Sequence, residues 1–259
     1  MGMDLAVHKV QPTLYMLVLF LFIGITSTQM LWSPDRDDRP ANNFGGNFVF
    51  LTVQTNFIIL LYLCLCVVDY MLGKQVRVFA GMVERLSGLV CTLGILMGGM
   101  YYAVVHFDPM TRDRAAQVED FDFYMHFLHG PALVFAVYEV LFREKAERGP
   151  VSDILATEGY MVFFASWSLL CAKINDGWWP YGFQQSMKIW EHIAFNLVFA
   201  VFLIPLVSLG VWYVQGRGVQ VIRKRRSLGV NSPSQTQLRK VYFGEDPVES
   251  SIEVFPHWF

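Results

Sequence analysis

Two short stretches carry the side chains that could do chemistry. The first is Thr52, Thr55 and Asn56 in NFVFLTVQTN, and the second is Asp122, His126 and His129 in FDFYMHFLHGP. Thr52, Thr55 and Asn56 stand at i, i+3 and i+4, while Asp122, His126 and His129 stand at i, i+4 and i+7, so each set lines one helix face. A hydroxyl beside an imidazole is the smallest nucleophile-and-base pair for acyl transfer. The ring removes the hydroxyl proton as the oxygen attacks an ester carbonyl, then delivers a proton to the leaving alcohol. Thr52 is the expected nucleophile and His129 the expected general base. Asp122 or His126 would orient the ring, and Asn56 or backbone amides would serve the oxyanion.

The elements that must position these residues are apolar throughout. The chain is 54% hydrophobic and 15% aromatic with 16% charged residues, and its mean hydropathy is +0.38. This excludes a disordered chain and argues against a single soluble domain. Six apolar segments, at about 13–29, 47–72, 86–107, 121–142, 154–174 and 193–215, approach the roughly 20 residues needed to cross a bilayer. The expected fold is therefore all-α, a polytopic membrane bundle of about six transmembrane helices over residues 1–215. The first segment is read as a retained span, because its apolar run exceeds a signal-peptide core and no A-x-A site follows. Residues 216–259 form a basic, then acidic tail, expected to be mostly disordered on the cytosolic side. Ionisable groups at membrane depth are costly and face protein or a water-filled cavity, so the polar stripe in 121–142 marks a site.

Lysine and arginine set the orientation. With six spans, 14 of the 20 basic residues fall on the side holding both termini. Both termini are thus expected in the cytosol, of either the plasma membrane or the endoplasmic reticulum. The second and fourth spans then enter from the same, non-cytosolic face. Thr52 lies about 8 Å into one and His129 about 12 Å into the other, similar depths on helices running in the same sense.

Other features read as support. Cys64, Cys66, Cys91 and Cys171 sit in apolar runs and behave as small hydrophobes. Gly94 and Gly98 form a GxxxG pair, read as helix packing within the chain ahead of a dimer seam, although a homo-oligomer stays open. Pro131 and Pro205 are expected to kink their helices. Trp178, Trp179, Tyr181 and Trp190 suit an aromatic belt, with His106 and His192 at span ends. Asp69 and Glu139 near the opposite ends would snorkel or pair with basic groups. No N-x-Ser/Thr acceptor marks the outer loops.

The pieces NFVFLT, MHFLHGPALVFAVYE and GWWPYGF (177–183) resemble the androgen-induced / androgen-dependent TFPI-regulating protein family of multi-span membrane threonine hydrolases. The resemblance covers most of residues 10–215. It implies hydrolysis of fatty acid esters of hydroxy fatty acids, with Thr52 as nucleophile and His129 as base. Gly130-Pro131 follows the histidine where small polar residues are usual in that family.

Rival chemistries fit less well. Haem would need histidines at matching depth on facing helices, and di-iron oxidation needs more histidines than the six present. The competing reading is a lipid-binding receptor, transporter or scaffold without catalysis. The expectation is a lipid esterase whose partners are a lipid ester substrate and membrane lipids, with no nucleic acid, no metal and no organic cofactor.

Overall fold

A computed structural model describes residues 2–31, 44–72, 76–109, 112–113, 116, 120–143 and 149–227. Every regular element among them is helical. Helices α1 (Gly2–Leu31), α2 (Leu51–Met71), α3 (Arg77–Met100), α4 (Phe121–Phe142) and α5 (Pro150–Ile174) are followed by a sixth segment in two parts, α6 (Ile189–Val198) and α7 (Ile204–Ser227). Six helical stretches are long and apolar enough to cross a membrane. Gly2–Val219 form one compact unit; the second unit, Gln220–Phe259 with Met1, contains the end of α7. Of the tail expected to be mostly disordered, residues 216–227 continue α7 as helix, and residues 228–259 lie outside the described residues.

Helix limits differ from the apolar limits where polarity and helicity part company. Helix α3 begins at Arg77, well before the apolar run, because Arg77, Glu84 and Arg85 are good helix formers that a hydropathy pattern ignores. Helix α2 begins at Leu51, preceded by a tight 3-10 turn at Gly46–Val49. Two segments widen into π-helix, at Tyr101–Val105 directly after α3 and at Phe199–Leu203 between α6 and α7. The second precedes Pro205, whose ring and missing N–H are incompatible with an ordinary i→i−4 turn.

In lipid, apolar outer surfaces cost nothing, so packing and internal hydrogen bonds decide how helices associate. Phe20, Val134 and Phe202 accordingly point outward. Phe22, Ile25, Ile59, Tyr62, Leu63, Val90 and Phe135 make the buried core between α1, α2, α3 and α4. The GxxxG pair is used inside the chain. A Cβ on Gly94 would stand 2.7 Å from the Ala136 Cβ, and one on Gly98 would stand 2.7 Å from the Leu133 Cβ. Both distances are closer than packed carbons allow, so only glycine lets α3 lie this near α4.

Of the cysteines, Cys66, Cys91 and Cys171 are buried as expected, whereas Cys64 is exposed on the outside of α2. Glu139 does not snorkel. It is fully buried, accepting from the hydroxyls of Tyr15 (2.7 Å) and Tyr62 (2.6 Å) and pairing with Arg143 at 3.1 Å. Arg143 also donates to the Tyr62 hydroxyl, which closes the network. Asp69 is buried too, 7% exposed.

Candidate functional site

Thr52 sits in the first turn of α2, and the start of that helix is tied down from several sides. The Asn47 side chain donates to the Gln29 carbonyl at the end of α1, at 2.6 Å. Asn175, just past α5, pairs with both backbone groups of Phe44, at 2.8 and 3.0 Å. The Phe48 carbonyl accepts from the Gln54 side chain (2.6 Å) and from the Trp167 indole (3.0 Å), and Tyr160 donates to the Gln54 amide oxygen. The first amides of a helix have no partner inside it. That of Leu51 donates to the Tyr181 hydroxyl at 2.9 Å. Tyr181 lies in the GWWPYGF piece, so this loop holds the entry of α2.

His129 sits in the middle of α4. Its Nε2 lies 2.9 Å from the Thr52 Oγ1, and both residues are buried, 6% and 8% exposed. Its Nδ1 lies 2.7 Å from the Met125 carbonyl oxygen, one turn earlier. A carbonyl only accepts, so in the neutral ring Nδ1 carries the proton and Nε2 presents its lone pair. The Thr52 hydroxyl is therefore the donor. This is the tautomer that a general base needs, and a backbone carbonyl sets it.

The remaining candidates divide. Asn56, fully buried one turn below Thr52, donates from its side-chain nitrogen to the Leu128 carbonyl at 2.9 Å. It joins α2 to α4 at the residue preceding His129, so it fixes the level at which the two helices meet. Its Oδ1 and the Thr55 Oγ1 are buried without a hydrogen-bond partner among the described residues. Asp122 does not reach His129: it pairs with Arg112 at 3.0 Å, both about half exposed. His126 is exposed, and its Nδ1 lies 3.1 Å from the Tyr102 hydroxyl. Neither touches the His129 nitrogens, so the orienting role expected of Asp122 or His126 falls to the Met125 carbonyl. The physical reason is local: at one turn's spacing the backbone of α4 is nearer to Nδ1 than either side chain.

Two aromatic residues that spacing did not single out complete the surroundings. Tyr101, 2% exposed, lies flat on the His129 ring, with centroids 3.9 Å apart and planes 11° apart. Tyr102 stacks on His126 at 5.6 Å and 17°. Both belong to the π-helical turn, where the His106 amide reaches back to the Tyr101 carbonyl at 2.7 Å. His106, expected at a span end, joins this group, its ring 5.2 Å from that of His126. His192, also expected at an interface, is buried and stacked on Trp179 at 3.9 Å. Tyr181 carried a signal in the GWWPYGF piece. Tyr101 carried none, because consecutive tyrosines in an apolar run give no warning of a widened turn.

The described residues contain no group of three or more His, Cys, Asp or Glu side chains placed to hold a metal ion. A family model described as FAR-17a/AIG1-like protein matches residues 13–214. The chain belongs to this family. It is the androgen-induced family to which the NFVFLT and MHFLHGPALVFAVYE pieces point. The match to the FAR-17a/AIG1-like family takes in all six spans and every residue of the site, and stops before the basic tail. No curated protein matches the chain, and no solved structure does.

Proposed function

We propose that this FAR-17a/AIG1-like chain is a membrane-embedded lipid esterase in which Thr52 is the nucleophile and His129 the general base. The observation that carries the reading is the 2.9 Å contact between the Thr52 hydroxyl and the unprotonated Nε2, with Nδ1 spent on a carbonyl. As the Thr52 oxygen bonds to the ester carbonyl carbon, its proton passes to Nε2 and negative charge moves to the carbonyl oxygen. Collapse of this intermediate breaks the bond to the alcohol oxygen, which takes the proton from His129 and leaves an acyl-threonine. A water molecule, deprotonated by the same ring, then releases the fatty acid and restores Thr52. The first-turn amides of Thr52 and Val53 have no partner within α2, lie at its positive end and are the backbone donors proposed for the oxyanion.

The family resemblance supports fatty acid esters of hydroxy fatty acids, or similar lipid esters, as substrates. Acyl chains would enter from the bilayer between helices, where large apolar side chains such as Phe48 and Phe57 are partly exposed near the start of α2. The excess of basic residues supports cytosolic termini, with the Thr52 end of the bundle toward the opposite face.

The test is labelling of the full chain in membranes by a fluorophosphonate probe, together with hydrolysis of a fatty acid ester of a hydroxy fatty acid. Thr52→Ala and His129→Ala are each expected to lower both by about 10³-fold or more, with the protein still accumulating. Thr52→Ser should retain labelling. Parental labelling and turnover in both alanine variants would instead leave a lipid-binding protein without this chemistry.

A further inference from the structure

An imidazole that accepts a proton becomes a cation, and in a dry site that charge needs a partner. A carboxylate on Nδ1 is the familiar solution, but here Nδ1 meets the neutral Met125 carbonyl. Asp122 is committed to Arg112 near the surface, and Glu139 lies ten residues further along α4 in its own closed network. The group that covers the His129 ring is the face of Tyr101. The face of an aromatic ring is its negative side, and it attracts a cation within about 6 Å of its centroid more strongly when water is excluded.

The placement of Tyr101 is itself built. Helix α3 approaches α4 closely at Gly98, where an added Cβ would lie 3.4 Å from the His129 carbonyl oxygen. One turn later the chain widens into the π-helical turn that begins at Tyr101. The close approach sets the height of the ring above His129, and the wide turn brings Tyr101 and Tyr102 together onto His129 and His126. The Tyr101 hydroxyl lies 3.4 Å from His106 Nδ1, while the His129 nitrogens are engaged by Thr52 and by the Met125 carbonyl. What Tyr101 offers His129 is therefore its ring face and not its hydroxyl.

From this geometry we infer that Tyr101 is a positioning residue for His129, whose ring face holds the imidazole in plane and stabilises the imidazolium formed during acyl transfer. The inference rests on the Thr52–His129 reading above. It assigns the work of a third catalytic carboxylate to two neutral groups, a backbone carbonyl on Nδ1 and a π face over the ring. An interaction that strengthens as charge develops lowers the barrier without tightening substrate binding, so its loss falls on kcat and leaves KM in place.

The experiment uses the full chain in membranes and compares Tyr101→Phe, Tyr101→Leu and Tyr101→Met with the parent and with Thr52→Ala. Tyr101→Phe keeps the face and is expected to retain at least about half the activity, whereas the two non-planar variants lose about 10-fold in kcat with KM within about twofold. A series at position 101 of phenylalanine, difluorophenylalanine and trifluorophenylalanine, which keeps the ring's shape while draining its negative face, should lower kcat in successive steps. A purely structural ring would give a flat series. Equal activity in Tyr101→Leu and the parent, a flat fluorinated series, or loss of both non-planar variants from the membrane would each overturn the assignment. If Thr52→Ala stays active, the esterase reading itself fails and takes this inference with it. If Thr52→Ala is inactive while the fluorinated series is flat, only the role of Tyr101 falls.

Discussion

Helix α4 carries two buried polar centres, His129 and Glu139, separated by roughly 15 Å along its axis, and they follow opposite plans. At Glu139 both carboxylate oxygens are occupied, by Tyr15 on one side and by Tyr62 and Arg143 on the other. At His129 one nitrogen is fixed by backbone and the other faces a hydroxyl able to give up its proton. Nearby, the Thr55 hydroxyl and the Asn56 amide oxygen have no protein partner among the described residues. Buried polar groups are normally satisfied, so these two groups beside the Thr52–His129 pair stand out, as does the Asp69 Oδ1 further along α2. The Glu139 end joins α1, α2 and α4, and the His129 end is the one that the proposed chemistry would use.

Breaking each centre should therefore give opposite phenotypes. Thr52→Val, which keeps the shape of the side chain, is expected to lower ester hydrolysis by about 10³-fold or more while shifting the unfolding free energy by only about 1–2 kcal/mol. Hydrolysis assayed beside a thermal melt in detergent reads both. Glu139→Ala leaves the largely buried Arg143 (side chain 18% exposed) uncompensated and should cost about 3–5 kcal/mol of stability. Labelling per folded molecule should stay near the parent, and a proportionate loss of labelling would join the two centres into one. Gly98→Val sharpens the comparison, because it wedges α3 from α4 beside His129. A loss of about 1–3 kcal/mol is expected from overpacking, together with a fall in activity larger than that of the same change at Gly94.

Smaller effects mark the edges of the site. Tyr181→Phe removes the acceptor for the Leu51 amide, costing about 1 kcal/mol and lowering activity several-fold by loosening the start of α2. Arg112→Ala breaks an exposed pair and should change stability by less than about 1 kcal/mol, with activity unaltered. A large activity loss there would return Asp122 to the site.

Much of this was legible from spacing. Six apolar runs give six spans, and two helices entering from one face bring Thr52 and His129 to one level whatever their detailed packing. The GxxxG pair correctly reads as internal packing, since Gly94 and Gly98 touch Ala136 and Leu133 of α4. What escaped was set by rotation about the helix axes. Whether Asp122 turns toward His129 or toward Arg112 depends on a loop whose course no periodicity predicts. Glu139 was placed correctly beside a basic residue, but its burial came from Tyr15 and Tyr62, distant in sequence. Tyr101 was invisible because a π-helical turn changes which residues face a neighbour without changing composition.

The wide turn at Tyr101–Val105 closes through a bond from the His106 amide to the Tyr101 carbonyl, five residues back, where an ordinary helix reaches back four. It thus accommodates one residue more than regular winding would. Deleting a single exposed alanine there, Ala103, would restore standard helical pitch and swing Tyr101 relative to everything that follows. A length change of one codon would then be enough to move Tyr101 against the His129 ring while leaving all six apolar helices long enough to cross a membrane.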